Sequence, residues 1–219
     1  CVTKDRISIL LGANINFKDD VKSVVAAECE AIGLYRTEFD FFREGSPLSE
    51  DKLVSDYSHV LSEASTLPIN IRVIDVGMRE GLDGTSTASR ARGLRFLLEN
   101  KSLFRMQLRA IYRSSPLGHA RIVLPFVSTL DELSEANQII ADVRRRLTQK
   151  GIDFDETVPI GVMIETPAAA QTCDLMASEV DFFCLGTNDL IQYQLAIDRM
   201  DQSGTDLYNP FHPAVLRQL

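Results

Sequence analysis

Apolar residues fall along this chain in six short, nearly continuous runs, at residues 7–11, 32–35, 71–76, 122–124, 160–164 and 182–185. Runs of that length read as strands, and continuous rather than alternating ones read as strands buried on both faces. Helical spacing fills the intervals. Residues 21–30 have helical composition, and Pro47 and Ser49 open a helix that places Leu53, Tyr57, Val60 and Leu61 on one face. Two further helical segments lie around residues 94–98 and 103–111. Thr129 and Glu132 form a capping box ahead of a helix that buries Leu133, Ile139, Ile140, Val143 and Leu147 and stops at Gly151. A helix from Pro167 to about Glu179 follows. Thr187 or Asn188 then caps one running through Leu190, Ile191 and Leu195. Residues 81–89 are polar and loop-like.

Strand and helix thus alternate six times, with short connections and no internal linker. The pattern predicts a single α/β domain over residues 1–219, built on a parallel sheet with helices packed against it. A (β/α)8 barrel and a doubly wound open sheet both satisfy it. No GxGxxG follows the first strand, which counts against a dinucleotide site. Six units are two short of a closed barrel, so the chain is expected to be a fragment, incomplete at its C-terminus.

Composition narrows the function. A net charge of −8 speaks against a nucleic-acid surface, so any anion must be held by a local cluster of bases. Cys1, Cys29, Cys173 and Cys184 show no CxxC spacing and suit a reduced, cytoplasmic protein. No apolar run approaches membrane-spanning length.

The stretch from Asp181 to Tyr193 carries the clearest chemistry. A buried strand runs through Gly186, where the backbone turns closely, straight into a helix. Free N–H groups at that helix start suit an anion, phosphate above all. Asp189 sits in the same place, which suits an anion only if a cation bridges the two; alternatively it is an acid set against the helix dipole. In either architecture function lies at the C-terminal ends of the strands. Those ends carry Arg36, Arg72, Asp75, Glu165, Asn188 and Asp189, with Arg92 and Arg199 close behind. Arginine's planar fork suits phosphate and carboxylate. Glu165 and Asp189 are hard oxygen donors suited to Mg²⁺. Singly, each is more often a structural ion pair, and Glu165 could cap the helix begun by Pro167. His59, His119 and His212 lack metal-ligand spacing. Convergence on one rim carries the reading.

Three stretches, Gly33-Leu34-Tyr35-Arg36-Thr37-Glu38-Phe39, Val162-Met163-Ile164-Glu165-Thr166-Pro167-Ala168-Ala169-Ala170 and Gly186-Thr187-Asn188-Asp189-Leu190-Ile191-Gln192-Tyr193 continuing to Ala196-Ile197-Asp198-Arg199, resemble signature motifs of one family. It is the phosphoenolpyruvate-binding domain of enzyme I, the phosphoenolpyruvate–protein phosphotransferase of bacterial sugar uptake, or its nitrogen-related paralogue. The resemblance implies a (β/α)8 barrel, here reduced to about six units. It implies that Arg36, Arg72, Arg92 and Arg199 clamp the phosphate and carboxylate of phosphoenolpyruvate, that Asn188 contacts the phosphoryl group, and that Glu165 and Asp189 hold Mg²⁺. It further implies a partner domain with an acceptor histidine, a small carrier protein and pairing into a homodimer.

The chain departs from the family pattern at Met78-Arg79-Glu80, where the family usually has Gly-Asp-Lys, and residues 86–90 do not match. The stretch between Asp75 and Arg92 is also shorter. The family's catalytic cysteine is expected beyond Leu219, and Cys184, inside the sixth strand, is no substitute. No catalytic residue is therefore expected among these residues, and the chain alone is expected to bind without turnover. A lyase or dikinase of the same barrel superfamily, and a binding-only fragment, are the alternatives.

Overall fold

The computed structural model describes residues 1–39, 49–76, 91–197 and 208–219. Six parallel strands form one sheet: β1 (Gly12–Ile15), β2 (Ala31–Arg36), β3 (Pro68–Arg72), β4 (His119–Leu124), β5 (Ile160–Ile164) and β6 (Phe182–Leu185). Their order in the sheet is their order in the chain. A doubly wound sheet reverses its strand order part-way. This one does not, and it curves as a half-barrel with every strand pointing the same way.

The helices are α1 (Val21–Ala26), α2 (Glu50–Glu63), α3 (Leu94–Glu99), α4 (Lys101–Ser114), α5 (Leu130–Gln149), α6 (Pro167–Gln171), α7 (Cys173–Met176), α8 (Thr187–Leu195) and α9 (Pro213–Leu216). Strand alternation divides the apolar side chains between two sides. Ile122, Leu124, Val162 and Ile164 join the main core, which includes Tyr57, Leu108 and Ile140 from the helices. Leu34, Val123 and Met163 point the other way and form a second cluster with Phe182 and Cys184. The Thr129–Glu132 capping box forms as expected: the Thr129 hydroxyl accepts from the Glu132 amide, and the Glu132 carboxylate accepts from the Thr129 amide. A cap of this kind stabilises a helix by about 1 kcal/mol.

The structure corrects four expected elements. Residues 7–11 are not the first strand. Residues 1–9 fold back on themselves, Val2 bridging Ser8 antiparallel, and Leu10 is 64% exposed. The sheet begins instead at Gly12, which pairs with Ala31. There, a Cβ on Gly12 would lie 3.0 Å from the Gly33 nitrogen, so the close approach of β1 to β2 favours a residue without one. The third strand occupies Pro68–Arg72 rather than 71–76; beyond it Val73 still donates to the Val123 carbonyl at 3.1 Å. The sixth strand is only half buried, with Leu185 58% exposed, because β6 has a single neighbour, β5, among the described residues. The helix expected over 167–179 breaks at Thr172, whose backbone leaves helical geometry and whose hydroxyl donates to the Ala168 carbonyl.

Candidate functional site

Parallel pairing sets Arg36 directly beside Arg72, at the ends of β2 and β3. Both side chains line a cleft of about 490 Å³ at the C-terminal edge of the sheet, together with Glu38, Asp75, Arg92, Glu165, Asn188 and Asp189. Seven residues of the expected rim therefore share one cleft, joined by Glu38, and of these eight all but Arg92 are drawn from strand ends or the first turns after them. Arg92, the exception, enters from the turn before α3. Gly93 beside it has φ +57°, and a Cβ there would come 2.6 Å from that of Phe126, so a glycine is needed for this entry.

Every described arginine of the rim has an oxygen partner. Arg72 is ion-paired with Glu38, and its Nη1 lies 3.2 Å from Asp75 Oδ2. Arg92 donates to both oxygens of Asp75 at 3.2 Å and to Asp189 Oδ1 at 3.0 Å. Arg36 donates to Asn16 Oδ1 at 3.3 Å. The Arg92 guanidinium also stacks on Phe126, 3.9 Å from the ring centroid. Burial works against the charge of Arg72 and Arg92, but the surrounding carboxylates outweigh it and raise both pKa values. Both remain cations. Burial pushes the Glu38 carboxyl up, and the Arg72 charge pulls it back only in part.

Glu165 is the most perturbed acid among the described residues. It follows β5 directly and is 1% exposed. Burial, reinforced by the Asp75 charge, pushes its carboxyl up to about 8, against the opposing pull of the Phe126 amide and Arg72. The Phe126 N–H donates to Glu165 Oε1 at 2.8 Å, from a backbone in the left-handed region at φ 52°. Thr166, not Glu165, caps the following helix, accepting from the Ala169 amide. Gly186, with no side-chain cap, precedes α8; neither Thr187 nor Asn188 takes that position.

Among the described residues no three His, Cys, Asp or Glu side chains gather into a metal cluster. Glu165 and Asp189 offer two carboxylates to one cleft. Glu165 Oε1 takes the Phe126 amide, whereas Oε2 faces Gly186, where a Cβ would sit 2.8 Å away. Such a donor set fits Mg²⁺, which takes one or two protein carboxylates and completes its shell from ligand and water. It does not fit a structural metal held by protein alone.

Asn188 lines the cleft, and the Tyr208 hydroxyl lies 3.3 Å from its carbonyl and 3.4 Å from Oδ1. Arg199 and the departures at 78–80 and 86–90 lie outside the described residues. His212 accepts from the Ala214 amide as the α9 cap. The sequence alone assigns no role to Glu38, Thr37, Gln107 or Phe126. For Gln107 a signal existed: an amide at an inward helical position among Phe104, Leu108 and Ile111. Glu38 had none, because its partner lies 34 residues away.

A family model described as "PEP-utilising enzyme, PEP-binding domain" matches residues 1–219. A phosphoenolpyruvate-protein phosphotransferase of Geobacillus stearothermophilus is 40% identical over 222 residues, covering 99% of this chain and 38% of that protein. Its counterpart in Bacillus subtilis strain 168 is 37% identical, covering 99% and 39%. The chain thus spans well under half the length of these relatives. A citrate lyase crystal structure from Burkholderia xenovorans LB400 superposes with a TM-score of 0.52 at 14% identity, covering 97% of this chain and 58% of the other. At that identity the likeness concerns the fold alone.

Proposed function

The chain belongs to the family of PEP-utilising enzymes, matching its PEP-binding domain, and on that premise we propose that the cleft binds phosphoenolpyruvate with Mg²⁺ for phosphoryl transfer to a protein histidine. One observation carries the reading: Arg72 and Arg92 meet Asp75 and Asp189 in a single cleft beside Glu165, in a protein whose net charge is −8.

Phosphoenolpyruvate carries two anionic groups a few ångströms apart. Arg36 and Arg72, neighbours across the β2–β3 ladder, and Arg92, which shares Asp75 with Arg72, take them in this reading; Arg199, assigned the same role by the family motif, lies outside the described residues. Without ligand these guanidinium groups are held by Glu38, Asp75, Asp189 and Asn16, so their orientation is set before binding. Ligand oxygens exchange with part of that set. Glu165 and Asp189 hold Mg²⁺, which when bound neutralises charge on the phosphoryl oxygens. The arginines stabilise both the transferring phosphoryl group and the enolate left behind, which is electrostatic catalysis by preorganised donors. Asn188 contacts the phosphoryl group.

The acceptor is a histidine on a separate N-terminal domain, from which the phosphoryl group passes to a small carrier protein in cytoplasmic sugar uptake. That the relatives are phosphoenolpyruvate-protein phosphotransferases supports a protein acceptor. Closure of the half-barrel by further units to a (β/α)8 barrel, and pairing of two copies, belong to the same reading.

The test is calorimetry of phosphoenolpyruvate binding with Mg²⁺ present, for the parent and for Arg72→Ala. Binding by the parent and loss of at least tenfold in the variant is expected. A parent that binds no phosphoenolpyruvate overturns the assignment.

A further inference from the structure

Gln107 lies outside the cleft, on α4, and is fully buried. Its Oε1 accepts from the Ile74 amide at 2.9 Å. Its Nε2 donates to the Thr37 hydroxyl and to the Tyr57 hydroxyl, each at 2.9 Å. The Thr37 hydroxyl in turn donates to the Arg72 carbonyl at 2.9 Å. These four bonds leave one consistent orientation. The Ile74 N–H requires the carbonyl end of the amide, so both amide hydrogens face the two hydroxyls. The Thr37 oxygen accepts one of them, and its own hydrogen goes to Arg72.

The points held are significant. Thr37 stands between Arg36 and Glu38, just past the end of β2. Ile74 stands between Arg72 and Asp75, just past the end of β3. Beyond Arg72 the ladder gives way: Val73 still donates to a β4 carbonyl, but the Ile74 amide is satisfied by the Gln107 side chain. Four cleft residues, Arg36, Glu38, Arg72 and Asp75, thus adjoin or bond the two backbone points that one side chain from the helical layer holds.

We propose that Gln107 is a positioning residue for anion binding: through Thr37 and Ile74 it sets the backbone from which Arg72 and its carboxylate partners reach the cleft. The role rests on the reading of that cleft as a phosphoenolpyruvate site. An apolar side chain at 107 could fill the same volume, but would take from the Ile74 amide its acceptor and from the Thr37 and Tyr57 hydroxyls the donor they share. The price of misplacing a clamp by a fraction of an ångström is read in affinity.

The experiment measures phosphoenolpyruvate affinity by calorimetry with Mg²⁺ in excess, well below each variant's melting midpoint. Gln107→Met keeps the length and removes the polar atoms. Thr37→Val keeps the shape and removes the hydroxyl; Thr37→Ser restores it. Expected are losses of about tenfold in Gln107→Met and Thr37→Val, with Thr37→Ser within twofold of the parent. In an Arg72→Lys background, the Gln107→Met loss should shrink, because both changes act on one group. A folded Gln107→Met that binds within twofold of the parent overturns the proposal, as does full additivity with Arg72→Lys. If Gln107→Met does not fold, the contrast between Thr37→Val and Thr37→Ser decides in the same way. If the parent itself binds no phosphoenolpyruvate, the ligand assignment fails separately. The positioning role is then read from the Arg72 side-chain N–H resonance, which should move in Thr37→Val and not in Thr37→Ser; an unmoved resonance overturns it.

Discussion

Arg92 Nη1 lies 3.0 Å from Asp189 Oδ1, joining residues 97 positions apart in the chain. The same guanidinium grips Asp75 and lies on Phe126, whose ring Tyr193 meets edge-on at 6.0 Å. One cation thus spans the cleft from the end of β3 to the first turn of α8. The carboxylate it occupies there is one of the two proposed for the metal. An anion that recruits Arg92 leaves Asp189 freer for a cation.

Metal and anion are therefore expected to bind cooperatively. Mg²⁺ alone should bind weakly, and phosphoenolpyruvate should strengthen it by about tenfold or more, a coupling of the order of 1–3 kcal/mol. Chelation of the metal should weaken phosphoenolpyruvate by the same factor, since the coupling is reciprocal. Calorimetry of Asp189→Ala should show the enhancement gone. Equal binding of the pair by parent and variant would leave Asp189 only its helix-dipole role.

Glu165 predicts a pH dependence of stability. Its carboxyl titrates near 8 in the folded protein, against an ordinary value of 4.5. Between these values the folded chain holds a proton that the unfolded chain has released. The stability contributed is fully present below pH 4.5, falls as pH rises through this window, and is lost above about 8. The change is of the order of a few kcal/mol. Thermal melts from pH 5 to 8 should decline for the parent without metal, and decline less for Glu165→Gln. Identical slopes would show that Glu165 is not the group responsible.

Gly186 should tolerate no side chain. Its φ of −87° is open to any residue, so the requirement is space. A Cβ would stand 2.7 Å from the Glu165 Cβ and 3.0 Å from the Met163 Cγ. Gly186→Ala is expected to cost about 1–3 kcal/mol of stability, and to weaken Mg²⁺ and phosphoenolpyruvate together through displacement of Glu165. Denaturant unfolding and calorimetry on the same sample read both effects. Unchanged binding would show that Glu165 can move aside freely.

Tyr112 offers a contrast away from the cleft. Its hydroxyl is buried without a hydrogen-bond partner among the described residues, and burial pushes its pKa up to about 12. The ring packs edge-on against Phe154 at 5.5 Å. Tyr112→Phe keeps that contact and removes the unpaired group, so stability should be unchanged or higher by up to about 1 kcal/mol. A loss above that, in chemical denaturation, would reveal a partner for the hydroxyl.

Much of this was legible in the residues because it is local. Short apolar runs located five of the six strands within a few residues, and strand ends located the rim. Thr129 and Glu132 announced their helix start at a spacing of three. What the sequence hid depends on neighbours distant in the chain. Residues 7–11 have a strand's composition, but nothing local says that β1 starts only where Gly12 meets Gly33. Phe182 to Leu185 read as fully buried, although burial is set by how many neighbours a strand has. The ion pairing of Arg72 with Glu38 and the Gln107 network each span more than thirty positions, and only the fold brings their members together.

Because strand order repeats chain order, the sheet can be assembled in the direction of synthesis. Each strand leaving the ribosome finds its neighbour already made, and no insertion between finished strands is needed. Arg36 and Arg72, of β2 and β3, are then in place before Glu165, just after β5, and Asp189, in α8, have been translated. Arg72 and Arg92 meet Glu38 and Asp75 from the outset, and Glu165 and Asp189 join them only later. Their docking completes the carboxylate pair, so competence for ligand waits on α8 and follows the assembly of β2 and β3.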